Sequence, residues 1–325
     1  MNPVTLLGRG CLIGLVAAGT APCVQAQNYP ERPIRIIVPL APGGGNDTVA
    51  RLVANKLVET LGQKVIVENR TGGGSVIASK IVLQAPADGY TLYLVSSSFT
   101  SAATLQKNLS FDPLGDFAPI TRLGVVPGAL TVHSSLPVAS VKALVALANS
   151  NPGQITFGSA GIGSGSHLGG ELFKFLSKAN MLHVPYRGSA LVTQSLLSGE
   201  VMTSFSNPLS ALPYVKSGRL RILGVTTASR WPLLPQFPTI AEEGVPGYEF
   251  LIWNGMVVRA GTPQPIIDRV HRELMAITRM PDVVGYLEKN GSRPMVLSPA
   301  DFGKFLKNEI TTMGKVIRAA GVRVN

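Results

Sequence analysis

From position 34 onward, short apolar runs rich in Val, Ile and Leu alternate with segments in which apolar residues recur every three to four positions. Gly- and Ser-rich turns separate the two kinds of segment. The pattern predicts strands over 34–39, 65–68 and 91–95, with helices over 47–61 and 75–84 between them. A second set follows, with strands over 129–133, 155–158, 181–184, 201–205 and 220–226 separated by helices over 141–149, 166–177, 190–198 and 209–217. A last strand over 250–258 precedes helical stretches over 263–279, 283–289 and 299–320. Strand, turn and helix repeated in this way are the mark of α/β architecture with parallel strands. The tripeptide Val-Pro-Gly occurs at 126–128 and again at 245–247, bracketing the second set. Read as two crossings, these divide the chain into a discontinuous first domain, 27–126 with 247–325, and an inserted second domain, 127–246. A Pro-Gly pair also makes an ordinary turn, which is the competing reading of both places.

Residues 1–26 stand apart from this pattern. Arg9 leads into the apolar run "CLIGLVAAG", and "VQA" follows before Gln27. That is the form of a secretory leader cleaved after Ala26, and it predicts an exported, periplasmic chain. The run is far shorter than the ~20 residues a membrane-spanning helix needs, and Gly14, Gly19 and Pro22 interrupt it. Pro22 also argues against a lipid anchor on Cys23. Both cysteines, Cys11 and Cys23, fall in the leader, so the mature chain has no thiol for a disulfide, a metal site or a nucleophile. Without Arg9 the mature chain keeps 28 basic residues against 18 acidic ones, a net charge of +10. The basic residues are scattered singly and are not interleaved with aromatics, which favours small anions over nucleic acid as partners.

The stretch "VPLAPGGGNDTVARLVANKL" at 38–57 puts glycines between a strand and a helix. A helix N-terminus carries unpaired N–H groups and about half a unit of positive charge, and so binds anions without a cationic side chain. A P-loop would need Lys and then Ser or Thr after its last glycine, but Asn46 and Asp47 stand there. Asp47 reads as the N-cap of the helix. A second loop of the same kind lies in "FGSAGIGSGSHLGGELF" at 157–173. Its glycines resemble a dinucleotide turn, but the acidic residue expected about 20 positions on is missing; Pro185, Tyr186 and Arg187 stand there instead. Two helix N-termini and the hydroxyls of Ser159, Ser164 and Ser166, facing one cleft, would hold a carboxylate. A Cβ at Gly44 or Gly163 is then expected to turn the amides away from it.

The same residues do not complete a catalytic set. No G-x-S-x-G elbow is present, and the four histidines show no zinc spacing. His167, just inside a helix, reads as a residue that packs or positions the loop rather than as a base.

Several stretches together carry a family resemblance: "YPERPIRIIVPLAPGGGNDTVAR", "VENRTGGGS", "ADGYTLY", "GSAGIGSGSHLGGELF", "HVPYRGSA", "FPTIAEEGVPGYE" and "AGTPQPIIDRV". From about Tyr29 to the C-terminus the chain resembles the substrate-binding proteins of tripartite tricarboxylate transporters, the Bug or TctC family. The resemblance implies a two-lobed periplasmic-binding-protein fold, type II-like, in which two α/β domains joined by two crossover segments close on an organic carboxylate. It implies a monomeric binding protein rather than an enzyme, without a cofactor, that delivers its ligand to membrane permease subunits. A sensor protein is the alternative partner, and a secreted hydrolase the alternative from another class. By the resemblance, the carboxylate is held through backbone amides and bridging waters by Ala41, Pro42, Gly43, Gly44 and Asp47 of the first loop. The second loop contributes Ser159, Ala160, Gly161, Gly163, Ser164, Ser166 and His167. Ser96, Ser97, Tyr186 and Arg187 match further cleft positions. One departure bears on the ligand: where relatives show an aspartate-bearing "GQVD..FDN" pattern, this chain reads "GEVMTSFSN", with Met202 and Ser206 in the acidic places. An ammonium group then lacks its counter-charge, so a dicarboxylic, hydroxy or aromatic acid is expected rather than an amino acid.

Overall fold

The computed structural model describes residues 28–322, so the leader and both cysteines lie outside the described residues. Strand β1, Ile34–Val38, is almost wholly buried. Helix α1, Gly45–Leu61, ends on Gly62, whose φ of 68° lets its N–H bond back to Val58 O. The chain continues through β2 (Val65–Asn69), α2 (Val76–Gln84), β3 (Thr91–Ser96), α3 (Ser97–Leu105) and the long strand β4 (Phe117–Pro127). It then builds a second lobe from β5 (Ala129–His133), α4 (Val141–Ser150), β6 (Ile155–Ser159), α5 (Gly165–Ser177) and β7 (Met181–Pro185). That lobe is completed by α6 (Ser189–Ser198), β8 (Thr203–Ser206), α7 (Pro208–Lys216) and β9 (Leu220–Val225). The return runs through β10 (Leu251–Arg259), α8 (Gln264–Ile277), α9 (Pro281–Lys289), β11 (Arg293–Pro294) and α10 (Pro299–Ala319).

Two sheets result, with strand orders β11-β4-β10-β3-β1-β2 and β7-β6-β8-β5-β9. The fold is the expected two-lobed α/β arrangement, but the sheets are mixed rather than parallel. In the first, β10 runs antiparallel to both β3 and β4; in the second, β5 runs antiparallel to β8 and β9. The cause is the connection between lobes: β4 leaves the first sheet and continues as β5 of the second, and β10 comes back from the second lobe, so β5 and β10 each run against the strands beside them. Strand β4 escaped the sequence pattern because Pro119 and Gly124 interrupt it. The structure absorbs the irregularity with register shifts at Asn254/Gly255 and Met256/Val257, the second placing Pro119 opposite Val257.

At the junction, Pro127 lies opposite Leu251, so the outgoing and returning strands run side by side. Gly128 N donates to Thr226 Oγ1 at 2.7 Å, Thr226 N to Gly128 O at 3.0 Å, and Phe250 N to Thr226 O at 2.7 Å. Helix α10 starts under Ser298, which caps it by accepting from Asp301 N. Its Phe302 and Leu306 belong to the core of the first lobe, while Met313, Val316 and Ile317 belong to that of the second.

Candidate ligand-binding site

The first loop is shaped from beneath by one carboxylate. Gly44 is the N-cap of α1, so Asp47 is the third helical residue and not the cap the sequence predicted. Its buried Oδ2 accepts from Gly43 N at 2.9 Å and from Arg51 Nε at 3.0 Å, and its Oδ1 accepts from Asn69 Nδ2 at 3.0 Å. Asn69 Nδ2 also donates to Leu40 O at 3.0 Å. Burial opposes the charge, yet the bonds from Arg51, Gly43 and Asn69 outweigh it and hold the carboxyl below its usual range. Asp47 therefore fixes the loop, while Ala41, Pro42 and Gly43 stay exposed above it. Thr48 N makes the first helical bond, to Gly44 O, so the amides of 45–47 have no intrahelical acceptor. Gly43 adopts φ +77°, which favours glycine, whereas Gly44 has φ −79° and a Cβ there would meet only Ala41 O at 3.5 Å. The expectation that a Cβ at Gly44 disrupts the loop is thus corrected, and the demand for glycine falls on Gly43.

The second loop is held by its own side chains. Ser164 caps α5 by accepting from His167 N at 3.3 Å, and its Oγ lies 3.2 Å from Ser166 Oγ. Ser166 Oγ accepts from Ala160 N at 3.0 Å, and Ser159 Oγ accepts from Gly161 N at 3.3 Å. His167 Nδ1 accepts from Gly163 N at 3.0 Å, which places its proton on Nε2. Four loop amides, those of Ala160, Gly161, Gly163 and Ser164, are therefore engaged within the loop. The first-turn amides of Gly165 and Ser166, with the hydroxyls of Ser164 and Ser166, are the groups placed to meet an anion.

Under this loop lies a buried aromatic stack. The His167 and His183 rings are 4.0 Å apart, and His183 stacks on Phe157 at 4.8 Å. His183 Nε2 lies 2.6 Å from Ser159 Oγ. Burial, the neighbouring His183 and the Lys174 charge push His167 down to about 3, and burial with Lys174 pushes His183 down to about 4. Glu171, 3.9 Å from His167 Nε2 and 3.0 Å from Lys174 Nζ, is pushed up by burial. A histidine so hard to protonate, with its acceptor nitrogen already on a backbone amide, positions the loop and is no general base.

Helix α3 brings the second loop against the first lobe. Ser101 Oγ donates to Gly163 O at 3.2 Å. A Cβ on Gly163, where φ is +78°, would lie 2.8 Å from Ser101 Oγ and 3.0 Å from Leu105 Cδ1. Gly165 is similarly close to Ile252 at the start of β10. Ser96 and Ser97 are buried where β3 becomes α3; Ser96 Oγ lies 3.3 Å from Ser98 Oγ, which is 2.6 Å from Ser75 Oγ. The first loop leaves β1, the strand beside β3. Both glycine loops and the Ser96–Ser97 corner thus sit at the carboxyl ends of parallel strands, where open α/β sheets bind ligands. Tyr186 is not brought in by its ring. Its amide bonds Ser159 O at 2.8 Å, but the ring packs over Gly158 beside Val192 and Val201, while Arg187 is exposed. Met202 packs against the second lobe's core, its N–H donating to Thr156 Oγ1 at 3.0 Å. Ser75, Ser98 and Ser101 were missed from sequence; the only signal was hydroxyls at 98 and 101, one turn apart on a helix whose Ser/Thr-rich composition reads as loop.

The family described as "Tripartite tricarboxylate transporter family receptor" matches residues 49–322. Protein BugT of Bordetella pertussis is 34% identical over 100% of both chains. Among solved structures, Rpa4515 of R. palustris with adipate is 36% identical with a TM-score of 0.83, covering 90% of this chain and 98% of that one. MatC of Rhodopseudomonas palustris with bound malate is 28% identical with a TM-score of 0.80, covering 89% and 100%. With a family match over most of its length and full-length relatives, this chain belongs to the tripartite tricarboxylate transporter receptor family, the TctC or Bug proteins, which are periplasmic solute-binding proteins and not enzymes.

Proposed function

We propose that this chain captures a small organic carboxylate between its lobes, 27–126 with 247–325 on one side and 127–246 on the other, and passes it to the membrane subunits of a tripartite tricarboxylate transporter. Residues 1–26 are the leader that sends it to the periplasm, where it works as a monomer. The observation that carries this reading is the pair of glycine loops, each opening a helix at the carboxyl end of a strand. Ala41–Gly44 and Ser159–His167 hold the acid group, with Asp47 and His167 setting the loops from behind, Ser96 and Ser97 beside them, and Arg187 at the rim. The relatives with adipate and malate bind acids that carry no ammonium group. Asp47 has both oxygens committed, so it offers no counter-charge to one either. The ligand is accordingly a dicarboxylic, hydroxy or aromatic acid, and the basic surface steers an anion toward the cleft. Calorimetry with succinate, malate, citrate and benzoate against aspartate and glutamate tests the reading. Tighter binding of either amino acid than of all four others would overturn it.

A further inference from the structure

Three buried polar atoms at one end of the first sheet have no hydrogen-bond partner among the described residues: Asn46 Nδ2, Ser97 Oγ and Asn254 Oδ1. Asn46 is 9% exposed, Asn254 4% and Ser97 1%. Buried polar atoms are nearly always bonded, so three together call for a partner. They share one corner of the fold. Asn254 pairs directly with Ser96 across β10 and β3, and Ser97 is the next residue, the first of α3. Asn254 also borders a small, mostly apolar void of about 10 Å³, walled by Val49, Leu52 and Val53 of α1 and by Val283 and Leu287 of α9. Asn46 is one turn ahead of Val49 on the same helix face, toward the first glycine loop.

Among the described residues, Arg51 and Arg122 are both engaged away from this corner. Arg51 is bonded to Asp47 and Asn69, and Arg122 is turned to Met295 O and the face of Phe305. A second carboxylate would meet Asn254 Oδ1 without a cation to offset the repulsion, and a methylene would leave all three groups unbonded. Two amides and a hydroxyl together offer both donors and acceptors. The group that complements them is neutral and does both, as an alcohol does. We propose that Asn46, Ser97 and Asn254 form a hydroxyl-recognition subsite that selects hydroxycarboxylates over their deoxy counterparts. The proposal rests on the carboxylate reading above, with the glycine loops holding the acid group and this corner reading the substituent.

Calorimetry on malate against succinate, and citrate against tricarballylate, isolates the hydroxyl in each pair. The native protein binds the hydroxylated member of at least one pair roughly tenfold more tightly, because a site built around a hydroxyl is left unbonded by the analogue lacking it. Asn254→Leu removes that preference while the deoxy acid keeps its affinity. Ser97→Ala deletes an atom bonded to nothing in the protein, so it keeps the fold, and it narrows the preference in the same direction; it decides the matter where Asn254→Leu does not fold. Equal affinities within both pairs, or a variant loss shared by both members of a pair, overturn the subsite and leave the carboxylate reading standing. Absence of binding by all four acids overturns both.

Discussion

At the residue scale, Asp47 and the His167–His183 stack make the sharpest predictions. Asp47 holds three residues, Gly43, Arg51 and Asn69, around one loop through charge-assisted bonds, each stronger than a neutral one. Asp47→Asn should therefore lose on the order of 2 kcal/mol of stability, and ligand affinity should fall with the loop. Arg51→Gln, on an exposed partner, should change little. Chemical denaturation and calorimetry on the two variants check this, and equal effects would mean the carboxylate acts only through its ion pair. The histidines give a pH dependence. Their folded values, about 3 and about 4, lie below the ordinary 6.5, so the unfolded chain takes up protons first. Stability is then fully present above about pH 6.5 and falls as pH drops toward 4, by up to ~1.4 kcal/mol per pH unit for each ring. Glu171, pushed up by burial, takes up a proton in the folded state and offsets part of the loss. Urea unfolding at pH 7.5, 6 and 5 should show the decline, and His183→Phe should flatten it. A native curve without slope would mean that the stack protonates freely.

At the level of elements, the two glycine loops were legible because glycine and serine between an apolar strand and a periodic helix have few other uses. Their internal wiring was not. Asp47 reads as a cap by residue type, but Gly44 takes that place, and the carboxylate's partners Asn69 and Arg51 come together only once β2 lies beside β1. Most strands and helices followed from periodicity, while α3 and β4 did not. Helix α3 is buried around nearly its whole circumference and mixes hydroxyl with apolar residues on every side, so no period marks it, and β4 hides its regularity behind Pro119 and Gly124. The parallel expectation failed for a related reason, since strand direction depends on how the lobes connect. The loops now separate two substitutions that sequence treated alike. Gly163→Val should abolish ligand binding, because it strains a positive φ and strikes Ser101 and Leu105. Gly44→Ala should bind within about threefold of the native protein, given its ordinary φ and the open space around it. Titration of both variants decides it, and a loss at Gly44→Ala equal to that at Gly163→Val would show the loop geometry to be different from that described.

On the scale of the whole molecule, two sheets with separate helical layers would ordinarily melt as two units. Helix α10 works against that, because its first half is embedded in one core and its second half in the other. Phe302, fully buried against Trp253 and Phe305, anchors the first half. Phe302→Ala should cost about 3–5 kcal/mol. Scanning calorimetry should give one endotherm for the native protein, with calorimetric and van't Hoff enthalpies in agreement. In Phe302→Ala the peak should broaden or split as the first lobe's grip on the helix loosens, whereas two resolved peaks in the native protein would show that α10 does not couple the lobes. The helix thereby makes one cooperative unit of two structural ones. In the native chain the two cores should then unfold together, so a receptor with one intact lobe should not accumulate.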